Sequence, residues 1–140
     1  MQQPITMKKL LLLLLLIPNL VIADSLSFNC KFSDGISTNF DSGSPKSKDG
    51  GNFPDTIYDQ INPKEGTGRL IGNVGAVDVM VLKGYQSVNI VEITPVGNMT
   101  FTTIFNGLPN KDGLFPVVTS RHPNMMGAFV SQYVGLCSSL

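Results

Sequence analysis

The chain has 140 residues, and its 10 basic and 10 acidic side chains give a formal net charge of zero. That length suits one domain with a substantial core, and the absence of a strong field of either sign does not favour capture of nucleic acid or of an anionic membrane surface. Charged residues make up only 14% of the chain while 14 residues are glycine, a composition that does not favour a helical bundle.

The first 23 residues have the pattern of a secretory signal peptide. Lys8 and Lys9 precede a short apolar run, and small residues ending at Ala23 precede the polar start at Asp24. The run is shorter than the roughly 20 apolar residues that a spanning helix needs, so cleavage is favoured over a retained anchor, and we expect no membrane span in the mature form. Met1 and Met7 are both suitable start positions.

Cleavage would leave residues 24–140 as a single domain with 8 basic and 10 acidic residues, a formal charge of −2. We therefore expect an exported protein, either periplasmic or extracellular. A lipoprotein would need a cysteine at the cleavage point, and Ser27, Phe28 and Asn29 before Cys30 do not fit that signal.

Two cysteines, Cys30 and Cys137, lie near opposite ends of the mature chain. Cysteines of an exported protein usually pair, so a disulfide closing almost the whole domain is predicted. Two buried free thiols remain the alternative. No metal site or cofactor is predicted, because zinc sites use four clustered ligands and only one histidine is present.

Alternating apolar and polar residues run along the mature chain and predict strands throughout. The first strand places Phe28, Cys30 and Phe32 on one face. Asp34-Gly35 predicts a hairpin turn, followed by a second strand at 36–40. Residues 41–52 are polar and predict a surface loop. Seven further strands are predicted at about 55–61, 67–73, 77–81, 88–94, 99–105, 115–120 and 129–137.

The parity of the end strands supports the disulfide. Cys30 shares a face with Phe28 and Phe32, while Cys137 shares one with Tyr133 and Phe129. If both faces point inward, the first and last strands lie side by side or face each other, and pairing them removes exposed sheet edges. The predicted fold is all-β: a small antiparallel up-and-down barrel, or a flattened sandwich, of about eight or nine strands.

Two groups of polar residues are candidates for chemistry. Arg121 could bind an anion beside His122, the only histidine, which could act as a base or proton donor; a strand end bonded to backbone or solvent is the alternative. Glu92 and Asp78 lie in strands, where a carboxylate usually occupies the solvated face; if both pointed inward they could form a polar spot with Arg69.

The strand pattern resembles that of lipocalin-type barrels, which are exported and hold small apolar ligands. That family has a Gly-x-Trp signature in its first strand, and this chain contains no tryptophan, so the resemblance implies architecture alone. Phe28-Asn29-Cys30 followed by Asp34-Gly35 is also similar to the opening of small periplasmic lysozyme inhibitors of the C-type class, which are disulfide-closed barrels. The inhibitory loop motifs of those proteins are absent here.

Three functions follow as hypotheses. The first is a non-catalytic exported barrel that binds a small apolar molecule or a protein partner. The second is a small extracytoplasmic enzyme centred on Arg121 and His122. The third is a structural component of the envelope.

Overall fold

The computed structural model describes residues 24–41, 43–123 and 127–140. All of its regular structure is β, which confirms the predicted class for those residues, and it contains no helix long and apolar enough to cross a membrane. The predicted signal peptide, residues 1–23, lies outside the described part of the chain. The strands are β1 (Leu26–Asn39), β2 (Lys46–Asp49), β3 (Thr56–Asn62), β4 (Thr67–Gly72), β5 (Gly75–Lys83), β6 (Val88–Ile93), β7 (Met99–Ile104), β8 (Phe115–His122) and β9 (Phe129–Ser139).

Eight of the strands close into an antiparallel barrel. From β3 to β9 each strand pairs with the next along the chain, and β1 joins the two ends of this series by pairing with both β3 and β9. The remaining strand, β2, pairs with β1 alone. The structure thus confirms the predicted barrel with neighbouring first and last strands, and it selects a closed barrel over a flattened sandwich.

The long strand β1 has two partners on one of its edges. Its pairing with β9 extends from Phe28↔Ser139 to Asn39↔Phe129, so β9 occupies one edge along nearly the whole strand. β3 and β2 must therefore share the other edge, where Cys30 pairs with Thr56 of β3 and Ile36 pairs with Asp49 of β2. β2 and β3 consequently lie end to end, with residues 50–55 between them.

The predicted hairpin at Asp34-Gly35 is wrong. The chain continues through these residues as one strand, and the register against β9 shifts between Phe32 and Asp34. This irregularity is a β-bulge, in which residues that also suit a turn bend a strand without reversing it. The Asp34 carboxylate accepts a hydrogen bond from the Gly35 amide at 2.8 Å, which stabilises the bend. The predicted loop at 41–52 is also partly wrong, because it contains β2.

A packed core fills much of the barrel. Its fully or almost fully buried apolar residues are Phe28, Cys30, Tyr58, Ile61, Val79, Val81, Val88, Ile90, Ile104, Val117 and Cys137. Cys30 and Cys137 are register partners in β1 and β9 and form a disulfide that is completely shielded from solvent. The predicted inward faces of both end strands and the predicted pairing are confirmed.

A pair of close contacts fixes the chain between β2 and β3. Gly35 lies opposite Tyr133 in the sheet, and a Cβ added to Gly35 would collide with the Tyr133 ring. The ring therefore lies where a side chain at Gly35 would be. Its hydroxyl donates a hydrogen bond to the Gly50 carbonyl at 3.0 Å, and the Gly50 amide donates to the Gly35 carbonyl at 2.9 Å. These bonds hold the start of the 50–55 segment against the barrel.

We expect the disulfide to supply a large share of the stability. The bond joins residues 107 positions apart, and in the chain-entropy model a loop of that length contributes about 4–5 kcal/mol. Replacing both cysteines (Cys30→Ala with Cys137→Ala) should lower the free energy of unfolding in urea by up to that amount. Reductant should destabilise the wild type and leave the double variant unchanged. Equal urea midpoints for the double variant and for the wild type without reductant would contradict this role.

Alanine at Gly35 should also destabilise the protein. The added methyl group would collide with the Tyr133 ring, and overpacking of this kind costs about 1–3 kcal/mol. Gly72→Ala is the matched control, because a Cβ there would meet its nearest neighbour, Leu70, at an ordinary 3.7 Å. Thermal unfolding of both variants checks the prediction, and equal losses would show that the Tyr133 contact is not the cause.

Candidate functional site at the barrel mouth

One end of the barrel, which we call the mouth, opens into a hollow of about 310 Å³. It is formed where β3, β4, β6, β7 and β8 reach the same end of the barrel as the 50–55 segment. Residues around it include Phe53, Leu70, Glu92, Thr100, Arg121 and His122. The hollow combines both signs of charge with apolar and hydroxyl side chains, which makes it a candidate binding site.

Sheet register places three of these residues in one layer. Glu92 of β6 pairs with Thr100 of β7, which pairs with Arg121 of β8. Two strand spacings of about 4.8 Å separate the outer members, so the Cα atoms of Glu92 and Arg121 lie about 10 Å apart. Side chains alternate between the two faces of β6 and β8, and Glu92 and Arg121 lie on the same inward face as the buried core residues of those strands. The two charges therefore face the hollow from neighbouring parts of its wall.

We call the layer formed by Glu92, Thr100 and Arg121 the rim. The next layer towards the barrel interior carries hydroxyl groups. Thr102 and Thr119 are register partners, and their side-chain oxygens are hydrogen-bonded at 2.7 Å. The Tyr58 hydroxyl reaches the Thr102 oxygen at 3.1 Å. These three buried groups satisfy one another and form a polar layer beneath the hollow, which we call its floor; Tyr58 lines the hollow itself.

The phenol of Tyr58 is strongly shielded from water. Burial disfavours the charged phenolate and, against the opposing effect of the Thr102 hydrogen bond, raises the pKa of Tyr58 to about 12. The negative charge of Glu92 is the smallest of the three contributions to this value and acts in the same direction as burial. The Glu92 carboxylate is therefore close enough to the floor of the hollow to act on the phenol electrostatically.

Phe53 forms one wall of the hollow. The break between β2 and β3 lets the 50–55 segment turn inward, and the Phe53 ring packs at centroid distances of 4.7 Å from Phe32 and 4.8 Å from Tyr133. The Arg121 guanidinium carbon lies 5.7 Å from the centre of the same ring, within cation–π range. Phe53 thus supports the arginine and limits the positions open to its side chain.

Neither charged residue of the rim is neutralised by an ion pair with another residue in the described ranges. Within the described ranges the Arg121 guanidinium makes this cation–π contact and no hydrogen bond, so its N–H groups remain able to donate to a ligand. The mouth can therefore bind an anionic group through Arg121, beside apolar surface from Phe53 and Leu70.

The predicted neighbour His122 takes a different position. It pairs with Met99 across β7 and β8, is exposed, and lies at the rim with the outward parity. Within the described residues no hydrogen bond joins its ring to a carboxylate or a hydroxyl. A general base needs such an orienting partner, and none of the described residues provides one to His122 by a hydrogen bond.

The carboxylates of the sheet separate into two environments. Asp78 is exposed on the outside of the barrel, where Arg69 is its register partner in the neighbouring strand. The predicted polar spot that would have joined Asp78 and Arg69 to Glu92 therefore does not form. The expectation that Glu92 occupies the solvated face is wrong, because the residue shares the inward parity of Val88 and Ile90. That parity is visible in the sequence and is the signal that could have identified it.

A second hollow of about 480 Å³ lies at the opposite end of the barrel. Turn residues surround it, among them Asn62 and the exposed Lys64 and Lys83. The Asn62 carboxamide oxygen already accepts hydrogen bonds from the backbone amides of Lys64 and Glu65. This hollow is larger, but its buried polar group serves the turn, so we place the candidate site at the mouth.

Across residues 24–41, 43–123 and 127–140, no group of three or more His, Cys, Asp or Glu side chains is arranged to hold a metal ion.

Comparison with known proteins identifies no family. No family model and no solved structure matches the chain. A stretch of 60 residues is 33% identical to YvkB, described as an uncharacterized HTH-type transcriptional regulator of Bacillus subtilis (strain 168), and covers 43% of this chain and 32% of that protein. The match covers about a third of the length of YvkB, so it assigns neither a family nor nucleic-acid binding to this chain.

The pKa of Tyr58 predicts a loss of stability at alkaline pH. An unfolded tyrosine ionises near pH 10.0, whereas the buried one does so near 12. The favourable contribution of the neutral phenol is therefore fully present below about pH 10 and is lost as the pH rises towards 12, by up to about 1.4 kcal/mol per pH unit.

Urea unfolding between pH 8 and 11.5 measures this effect. The wild type should lose stability above pH 10 more steeply than Tyr58→Phe, which has no phenol to titrate there. Tyr85→Phe, at an exposed position, is the control and should keep the steep wild-type slope. Parallel pH profiles for wild type and Tyr58→Phe would contradict the prediction.

Proposed function

We propose that this protein is a non-catalytic binding protein that takes up a small ligand with an anionic group and an apolar part at the barrel mouth. The observation that carries the proposal is Arg121, which faces a hollow beside Phe53 and has no acidic partner in the described structure. Charge-assisted hydrogen bonds from a guanidinium are the strongest that the mouth offers, and carboxylates match their geometry.

The size of the hollow supports a small ligand. A volume of about 310 Å³ is at the lower end of the range for ligand pockets. Below the hydroxyl floor, apolar core residues occupy the barrel interior, so an apolar molecule held deep inside is less well supported than one at the mouth. β2 with the 50–55 segment and residues 106–113 between β7 and β8, which a protein partner could contact, lie at opposite ends of the barrel and do not form one surface.

We also propose that the protein is exported, to the periplasm or beyond the cell. The disulfide between Cys30 and Cys137 supports this location, because such bonds persist in oxidising compartments. The signal-peptide pattern at 1–23 is the second support.

Titration with N-acetyl-L-phenylalanine, followed by the backbone amide signals in NMR spectra, tests the binding site. The probe carries one carboxylate and one aromatic ring. It should shift signals of β6, β7 and β8 at the mouth, and Arg121→Gln should weaken binding by about tenfold or more, since a hydrogen bond to a charged group is worth about 1.5–3 kcal/mol.

Arg69→Gln is the matched control, because it removes the other arginine of the mature chain from the outer wall of the barrel. This variant should bind as the wild type does. The uncharged N-acetyl-L-phenylalaninamide should bind weakly to all three proteins. No binding of the carboxylate probe to the wild type, or equal binding to Arg121→Gln, would overturn the proposal.

A further inference from the structure

The mouth presents a negative charge as well as a positive one. Glu92 and Arg121 occupy the same inward layer on either side of Thr100, with Cα atoms about 10 Å apart. Both line one hollow. A purely anionic ligand would use Arg121 and would meet an unfavourable charge at Glu92.

The structure also explains why the two charges do not neutralise each other. The Phe53 ring supports the Arg121 guanidinium from the side of β1 and β9, where Phe53 packs on Phe32 and Tyr133. Glu92 lies on the other side of Thr100, close enough to the floor to influence the Tyr58 phenol. The contact with Phe53 therefore places the Arg121 guanidinium on the side of the layer away from Glu92, and both residues line the hollow.

We infer that the mouth selects small zwitterions of the amino-acid type, with Arg121 binding the carboxylate, Glu92 binding the ammonium group and apolar side chains contacting the rest. This inference rests on the proposed function and names its ligand class. Leu70 and Phe53 supply the apolar wall, and the volume of about 310 Å³ suits a molecule the size of a single amino acid. Glu92 is a specificity-determining residue in this scheme.

Three probes that share the phenylalanine side chain and differ in their charged groups test the inference by calorimetry or NMR titration. L-Phenylalanine carries both charges, N-acetyl-L-phenylalanine carries the carboxylate alone, and L-phenylalaninamide carries the ammonium alone. The zwitterion should bind the wild type about tenfold more tightly than either singly charged probe, as expected for one added charge-assisted hydrogen bond.

Substitution at Glu92 should remove this preference. In Glu92→Gln the zwitterion should weaken to the level of N-acetyl-L-phenylalanine, whose own binding should stay the same or improve because a repelling charge is gone. Asp78→Asn, which neutralises an exposed carboxylate on the outer wall, is the matched control and should keep the wild-type preference.

The outcomes separate the two proposals. If N-acetyl-L-phenylalanine binds through Arg121 as tightly as the zwitterion, or if Glu92→Gln keeps the preference, the inference about zwitterions is overturned while the anion site stands. If no probe binds the wild type, the anion site fails as well. A strong preference for L-phenylalaninamide would overturn both, because Arg121 would then contribute nothing.

Discussion

The antiparallel pairing of β1 with β9 is the constraint on which the rest of the structure depends. It converts a meander of strands into a closed barrel and brings Cys30 and Cys137 into register for their disulfide. Without this pairing both strands would present unprotected edges. The length of this pairing also matters. β1 stays paired with β9 beyond the residues that pair with β3, so part of the other edge of β1 remains open to β2, which pairs there and is followed by the 50–55 segment.

The bulge in β1 connects this closure to the candidate site. Beyond it, Gly35 lies opposite Tyr133 and leaves room for the ring, whose hydroxyl binds the Gly50 carbonyl. The anchored segment then directs Phe53 towards Arg121. The absence of a side chain at Gly35 therefore affects, through these successive contacts, the position of the Arg121 guanidinium at the mouth.

Much of the fold could be predicted from the sequence. Apolar and polar residues alternate along a half-buried strand, and Cys30 and Cys137 both lie on the predicted inward faces of the first and last strands, as a disulfide between neighbouring strands requires. The bulge at Asp34-Gly35 could not be distinguished from a turn, since both conformations favour the same residues. Arg121 was identified, but Phe53 was not, because its role depends on the tertiary bonds of Gly50. The inward position of Glu92 was readable in principle from its neighbours Val88 and Ile90.

Three successive layers of β6, β7 and β8 explain how one small barrel can be both stable and polar at its mouth. Val88, Ile104 and Val117 form a fully buried apolar layer, the hydroxyls of Thr102 and Thr119 follow in the next, and Glu92 and Arg121 complete the rim. Polarity increases from each layer to the next, and exposure to water increases at the rim, so the charges of the rim avoid most of the desolvation that deeper positions would impose. Because the apolar layer and the hydroxyl layer are buried and the charges lie only at the rim, substitutions of the rim charges are expected to leave the barrel folded, so the proposed ligand preference can be tested separately from the fold.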